Sequence, residues 1–326
     1  MKGQQQLGVK GGYSLRVFKD DGREVKDKYI PFVQNIVTDL GLEEEILSNT
    51  QFNEKSEVAV GTGTSAITQA STSLISELKR TSGLEMQPSQ ENNGFVSFTD
   101  NGDGTITIRG VRNGSFNIGD FNGDSISEVG IIKSFTSGLL AGQLIKDQNG
   151  NPTTITILSD EQLVIEYVIE HTSWFTQQSL STGSITANGV TSNYTFKINP
   201  WLRSDSFSDS FISPITTKVD ENSMLFYDSV GDVIAPVSIS GNSYLFSSIS
   251  NGAKVTLDFS GTASPSSFST TDLKYIAFGT TFDRADILDI FESSIGFILE
   301  FDTPLEKTSS QAITIDFSVD ITAIQS

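Results

Sequence analysis

Ser159-Asp160-Glu161-Gln162-Leu163-Val164-Ile165-Glu166-Tyr167-Val168-Ile169-Glu170 is the stretch whose reading decides the fold. Leu163, Ile165, Tyr167 and Ile169 fall at alternate positions while Glu166 and Glu170 point the other way, which is the period of a strand with one face in the core. A turn cluster, Asp147-Gln148-Asn149-Gly150-Asn151-Pro152, precedes it. This cluster reverses the chain between two apolar runs, 143–145 and 154–158, because Gly accepts positive φ and Pro presets its own. The expectation is a hairpin followed by a long closing strand.

The same pattern returns at the end of the chain. Residues 309–320 read SSQAITIDFSVD, with Ile313, Ile315, Phe317 and Val319 at alternate positions, each 150 after its counterpart (313 − 163 = 150). Upstream, Tyr275-Ile276-Ala277-Phe278-Gly279 can be laid against Ser125-Ile126-Ser127-Glu128-Val129-Gly130, and residues 296–302 against 140–147. The spacing predicts a mainly β protein of two tandem β-sandwich, jelly-roll-like units arising by internal duplication, with one or two short helices. Residues 1–12, polar and Gly-rich, are expected as an N-terminal arm. The first unit is placed at 13–171, a Ser/Thr/Gly-rich boundary at 172–193 and the second unit at 194–326. Removal of the arm is expected to leave stability unchanged, and removal of 311–326 to unfold the second unit alone.

A chain of 326 residues suffices for two such units, each with its own core. It has no cysteine, so disulfides, thiolate metal sites and thiol catalysis are excluded. Its one histidine, His171, gives no histidine pair for zinc and is read as a linker residue. Net charge is −19. Duplex binding needs a positive face that displaces counterions, so direct nucleic-acid binding is not expected. No apolar run is long enough to span a bilayer as a helix, and residues 1–12 lack the apolar core of a signal peptide, so membrane insertion is not expected and assembly in the cytoplasm is.

The chemistry-bearing motifs each have a structural reading. Gly61-Thr62-Gly63-Thr64 after the strand-like Val58-Ala59-Val60 lacks the third glycine and the helix of a dinucleotide fingerprint, so a Gly-rich loop is expected. Asp120-Phe121-Asn122-Gly123-Asp124 has oxygen ligands at positions 1, 3 and 5 of a calcium loop, but Ser125 stands where Gly belongs and Ile131 where a bidentate acid belongs. A turn is expected there, with no metal. Asp100-Asn101-Gly102-Asp103-Gly104 reads as a hairpin turn. A short helix is expected from about Thr38, with Gly41 weakening it, and another between Asp283 and Ser294. Twenty-two phenylalanines are expected mainly as filler between facing sheets, because Phe carries no polar handle. Acidic residues such as Asp100, Asp103, Asp147, Glu166 and Asp316 sit in turns or on outward faces, and neither a G-x-S-x-G elbow nor a triad can be assembled. No catalytic residue, cofactor or metal ligand is expected.

Four consecutive segments of the first unit resemble a class of tailed-bacteriophage structural proteins. They are Val33-Gln34-Asn35-Ile36-Val37-Thr38-Asp39-Leu40-Gly41-Leu42; the loop Val58-Ala59-Val60-Gly61-Thr62-Gly63-Thr64-Ser65 with the later Leu78 and Arg80; Ile126-Ser127-Glu128-Val129-Gly130; and the run from Leu144 to Leu163 through the Asn149-Gly150-Asn151-Pro152 turn. The resemblance covers about residues 13–171. It implies a virion component of the head, neck or tail, β-rich, without catalytic residues, assembled in the host cytoplasm by contacts with copies of itself and with other virion proteins. That family's last strand commonly ends in a basic residue, whereas this one ends Glu170-His171. Two other readings compete. One is a carbohydrate-binding module for a host surface glycan, with Trp174, Trp201 and the Tyr244 region as stacking candidates. The other is a capsid decoration protein. A polysaccharide depolymerase ranks last, since neither short-period repeats nor a carboxylate pair is visible.

Overall fold

Alternation, turns and β-branched residues produce strands almost throughout the computed structural model. It describes residues 2–47, 56–81, 84–85, 96–133, 138–174, 178–187, 189–199, 223–278 and 296–325. The first half runs β1 (Lys2–Lys19), a 3-10 turn (Lys26–Lys28), β2 (Ile30–Gln34), β3 (Ile36–Val37), α1 (Asp39–Leu47), β4 (Ser56–Gly61), β5 (Glu77–Thr81), β6 (Leu84–Glu85), β7 (Val96–Asp100), β8 (Thr105–Phe116), β9 (Asp124–Ile126), β10 (Glu128–Lys133), β11 (Leu139–Leu144), β12 (Ile155–Ile157) and β13 (Glu161–Trp174). The second runs β14 (Gln178–Ala187), β15 (Val190–Asn199), β16 (Ser223–Tyr227), β17 (Val233–Ile249), β18 (Gly252–Ala263), β19 (Thr270–Phe278), β20 (Gly296–Lys307) and β21 (Ile313–Gln325).

The pairing order repeats between the halves. In the first, a five-stranded sheet has the order β3-β11-β10-β4-β5, and β7, β8 and β13 pair in succession. In the second, the orders β15-β20-β19-β16-β17 and β17-β18-β21 stand in the same places, every pair antiparallel as in the first half. The hairpin β1–β2 corresponds to β14–β15. Strand β17 does alone what β5 and β7 do separately: it pairs with β16 up to Ser238 and with β18 from Ile239, with a register shift by Gly241. The closing strands β13 and β21 are those whose alternation repeats in the sequence, and their inward residues Leu163, Ile165, Tyr167 and Ile169, and Ile315, Val319 and Ile321, are buried.

The halves are joined more intimately than two units on a linker. Residues 2–9 form the start of β1 and pair in parallel with β21, from Lys2↔Ser318 to Val9↔Gln325. From Gly8 to Lys19 the same strand pairs antiparallel with β13. The stretch expected as an arm is therefore central strand, because Leu7 and Val9 are apolar at alternate positions and both are buried. Likewise the described part of 172–193, read as a boundary, belongs to β13, β14 and β15, with Gly189 in the turn between the last two. Fourteen strands form one sheet in this way, and one continuous core runs from Leu42 and Val129 to Phe226 and Phe301.

In the first half the five-stranded sheet faces β1 and β8. The Tyr13 hydroxyl donates to the Leu144 carbonyl at 2.9 Å, and a Cβ on Gly114 would lie 2.6 Å from the Val58 side chain. Among described residues, Phe116, Phe121, Phe196, Phe226 and Phe301 are buried as expected of filler, while Phe32 lies half exposed. The turn at 147–152 is present, with Asp147 Oδ1 accepting from the Asn149 and Asn151 N–H groups. Its two arms pair only next to the turn, where Lys146 bridges Pro152 and the Thr153 N–H donates to the Ile145 carbonyl; beyond that β11 joins β10 and β3, whereas β12 joins β9. Helix α1 begins where expected. Thr38 Oγ1 accepts from the Gly41 N–H as an N-cap, and a Cβ at Gly41 would lie 2.0 Å from the Leu140 carbonyl oxygen. Close approach to β11 therefore explains a glycine that costs helix propensity. The second expected helix falls outside the described residues.

Candidate functional site

Among described residues, the buried ionised groups cluster at four places. Glu128, on β10, is 0% exposed and turns its carboxylate into the loop after β4. Oε1 accepts from the Gly63 N–H at 3.0 Å and the Ser76 N–H at 2.8 Å, and Oε2 accepts from the Ile75 N–H at 3.0 Å. A Cβ on Gly61 or Gly63 would lie 2.4 or 2.6 Å from Oε1, so only glycine lets the loop close around the carboxylate. Ser127 Oγ donates to the Gly63 carbonyl, pinning the same loop from the neighbouring position. The glycines that superficially suggest a phosphate cradle thus enclose an internal anion. Each half of this arrangement was visible in the sequence, as Gly61-Thr62-Gly63 and as Glu128, but nothing there linked them across 65 residues.

Glu161, at the start of β13, is 1% exposed. Lys28 Nζ lies 2.6 Å and Lys19 Nζ 3.1 Å from its oxygens, and the Leu158 N–H donates to Oε2. Burial works to raise its pKa, but these three donors outweigh it and hold the carboxyl below the ordinary range. Asp320 on β21 accepts from Thr256 Oγ1 at 2.7 Å and pairs with Lys254 at 3.0 Å.

The expected turn at 120–124 is present and is organised by a cation of the protein itself. Lys79 Nζ sits 2.6 Å from Asp120 Oδ1 and also reaches the Asp120 carbonyl, holding the carboxyl pKa down. Asp124 accepts from the Asn122 N–H. The Asp120 and Asp124 carboxylates are thus engaged, the first by Lys79 and the Asn117 N–H and the second by the Asn122 N–H. Among the described residues no group of three or more acidic or histidine side chains is gathered as a metal would require. His171 is within β13, opposite Val9 and Ile108, and burial pushes its pKa down to about 4. Asp100 and Asp103 cap the β7–β8 turn. Trp201 lies outside the described residues, as do the side chains of Trp174 at the end of β13 and Tyr244 in β17.

The fourth place is a cleft of about 510 Å³ in the second half. Leu273, Ile276, Leu299 and Phe301 floor it, while β14 (Ser184, Ile185, Thr186) and the start of β21 (Ile313, Thr314, Ile315, Asp316) line its two sides. Lys307 at its base is 1% exposed; its Nζ donates to the Pro265 and Phe268 carbonyls and stands 4.5 Å from the Phe268 ring centroid. Burial lowers its pKa, and the carbonyls and ring compensate the charge in place of a carboxylate. The charged residues of its lining are Glu306, Lys307 and Asp316.

The halves also meet through two glutamines. Gln69 Nε2 lies within hydrogen-bond distance of Asp39 Oδ1, Ser248 Oγ and the carbonyls of Ile249 and Gly252. Gln325 holds the Val37 backbone from β21. Neither contact was legible in the sequence, since an isolated Gln in a polar loop and one at a strand end carry no pattern. Comparison with protein-family models, with curated proteins and with solved structures finds no match to this chain.

Proposed function

We propose that this chain is a structural component of a tailed-phage virion, in the collar, neck, tail or fibre base, that acts by oligomeric assembly and protein–protein contact. The observation that carries the reading is the use made of its buried charge: Glu128, Glu161 and Asp320 are each saturated by backbone N–H groups, hydroxyls or lysines within the fold. Groups so engaged stiffen a scaffold and are not themselves poised as acid, base or nucleophile for a substrate. The resemblance of Ile126-Ser127-Glu128-Val129-Gly130 and Gly61-Thr62-Gly63-Thr64 to phage structural proteins supports the same reading, because here these two motifs form one buried lock. A strongly acidic chain whose halves share one fourteen-stranded sheet suits a particle part that must stay soluble until it meets its neighbours.

Mass spectrometry of purified particles made from the genome that encodes the chain tests this. The expected result is a stoichiometric band at a fixed copy number per particle. Absence from particles in lysates that contain the protein overturns the reading.

A further inference from the structure

The two halves close differently. In the first, β1 pairs with β13 along twelve positions, Gly8 to Lys19, and seals the β1–β2 hairpin to the rest of the sheet. The corresponding closure in the second half would bring β14 to β21. Instead β14 is hydrogen-bonded to β15 alone among the described strands, and β21 receives residues 2–9 of β1. That ladder covers Ser318–Gln325 and ends at Lys2. Ahead of it, Ile313 and Ile315 are ladder-paired to Ala263 and Gly261 of β18. The cleft described above lies here, between Ser184–Thr186 of β14 and Ala312–Asp316 of β21.

We propose that this seam is the acceptor for an extended, basic segment of a partner protein, taken up by strand addition. Its mode of filling is already displayed, since β1 occupies the same edge of β21 one step further along as an added parallel strand. The stretch from Ile313 to Asp316 gives about 13 Å of strand edge at about 3.3 Å per residue. Below it the floor of Leu273, Ile276, Leu299 and Phe301 is placed to receive every second side chain of an incoming strand. Natural sheets guard open edges with lysine or proline, and β14, QSLSTGSITA, has neither. The charged rim residues Glu306 and Asp316 are both acidic, and the lysine at the base, Lys307, is already held by two carbonyls. A strand alternating apolar with basic residues therefore matches floor and rim together, whereas a second copy of a chain of net charge −19 brings like charge to the rim. The proposal rests on the assembly reading only in taking the partner to be another particle protein.

The probe is a synthetic eight-residue peptide of alternating valine and lysine, added to the full chain, with binding followed by calorimetry and backbone amide exchange. Saturable binding, slowed exchange across 313–316, and affinity weakened about tenfold or more in Glu306→Lys are expected, a change of about 1.4 kcal/mol. Glu306 is exposed, so that variant keeps the fold. A second peptide with proline at every other valine keeps the charge and cannot complete a ladder, and should not bind. Equal binding of both peptides, or no binding of either, overturns strand addition. Self-association of the chain that the peptide competes away assigns the seam to a second copy and overturns the choice of partner. None of these results depends on whether the chain is found in particles, so the two proposals fail separately.

Discussion

Gln325 completes a strand pairing for Val37 across 288 positions of sequence: its Oε1 accepts from the Val37 N–H at 3.0 Å and its Nε2 donates to the Val37 carbonyl at 2.9 Å. On its other edge Val37 pairs with Ala141 of β11, so the side-chain amide stands in for a missing neighbouring strand. The last strand of the chain thereby holds the first segment before α1. Gln325→Ala is expected to cost about 1–3 kcal/mol, two hydrogen bonds to a buried backbone unit, with no change in the slope of a urea titration. Equilibrium unfolding followed by circular dichroism checks this, and an unchanged midpoint would show that water replaces the amide without loss.

Glu128→Gln keeps the volume and replaces one of the two acceptor oxygens with a donor that faces a backbone N–H. A loss of roughly 3 kcal/mol is expected, because the Ile75 N–H or the Gly63 and Ser76 pair is left buried without an acceptor. Exchange of those three amides should rise with the loss of stability. Protection that persisted at wild-type level would mean that the loop is held by its neighbours and not by the carboxylate.

Acid should weaken the fold in two stages. His171 has a folded pKa of about 4 against about 6.5 in the unfolded chain, so the unfolded state takes up the proton first and stability falls as pH drops from about 6.5 to 4. The ring is only partly buried by its own exposure, which makes about 1–2 kcal/mol the expected size of this stage. Glu161 and Asp120 have lowered folded pKa values, so their contribution is complete above the ordinary carboxylate range and is lost as pH falls through and below it. His171→Gln should flatten the upper stage and leave the lower one. A melting-temperature series carried from about pH 7 down to about pH 2, below the ordinary carboxylate range, reads both.

Deleting residues 1–9 is expected to destabilise the protein by about 3–6 kcal/mol, against the sequence-based expectation of no effect. Leu7 and Val9 are buried, at about 1.5–3 kcal/mol each, and the ladder to β21 goes with them. Deleting 311–326 should in turn loosen the first half as well as the second, through loss of the β1 partner and of the Gln325 contact. Limited proteolysis that returned an untouched 13–171 fragment after the second deletion would count against this coupling.

Chelation is expected to leave the melting temperature unchanged, since the Asp120 carboxylate is neutralised by Lys79. Lys79→Ala should lower stability modestly, by about 1 kcal/mol for a half-exposed pair. A chelator-dependent shift of several degrees in the wild-type chain would instead make the turn a metal site.

The sequence by itself determined the strand character and the turns. Leu163 to Ile169 and Ile313 to Ile321 alternate because a pleated strand presents successive side chains to opposite faces, and glycine at Gly102, Gly104 and Gly150 marks positive φ that other residues resist. Alternation says which face is buried without saying which strand lies alongside. That choice was made only in the tertiary structure: residues 2–9 have the polarity of a free arm and are placed by Leu7 and Val9 against β21, and the arms of the 147–152 turn part to different sheets. Glu128 reads as an ordinary acid on a strand until Gly61 and Gly63 are brought around it. Gln325 and Val37, and the seam between β14 and β21, likewise exist only once the halves are closed on one another, because hydrogen-bond partners at a separation of hundreds of residues are set by the packing of the whole core and leave no local periodicity to read.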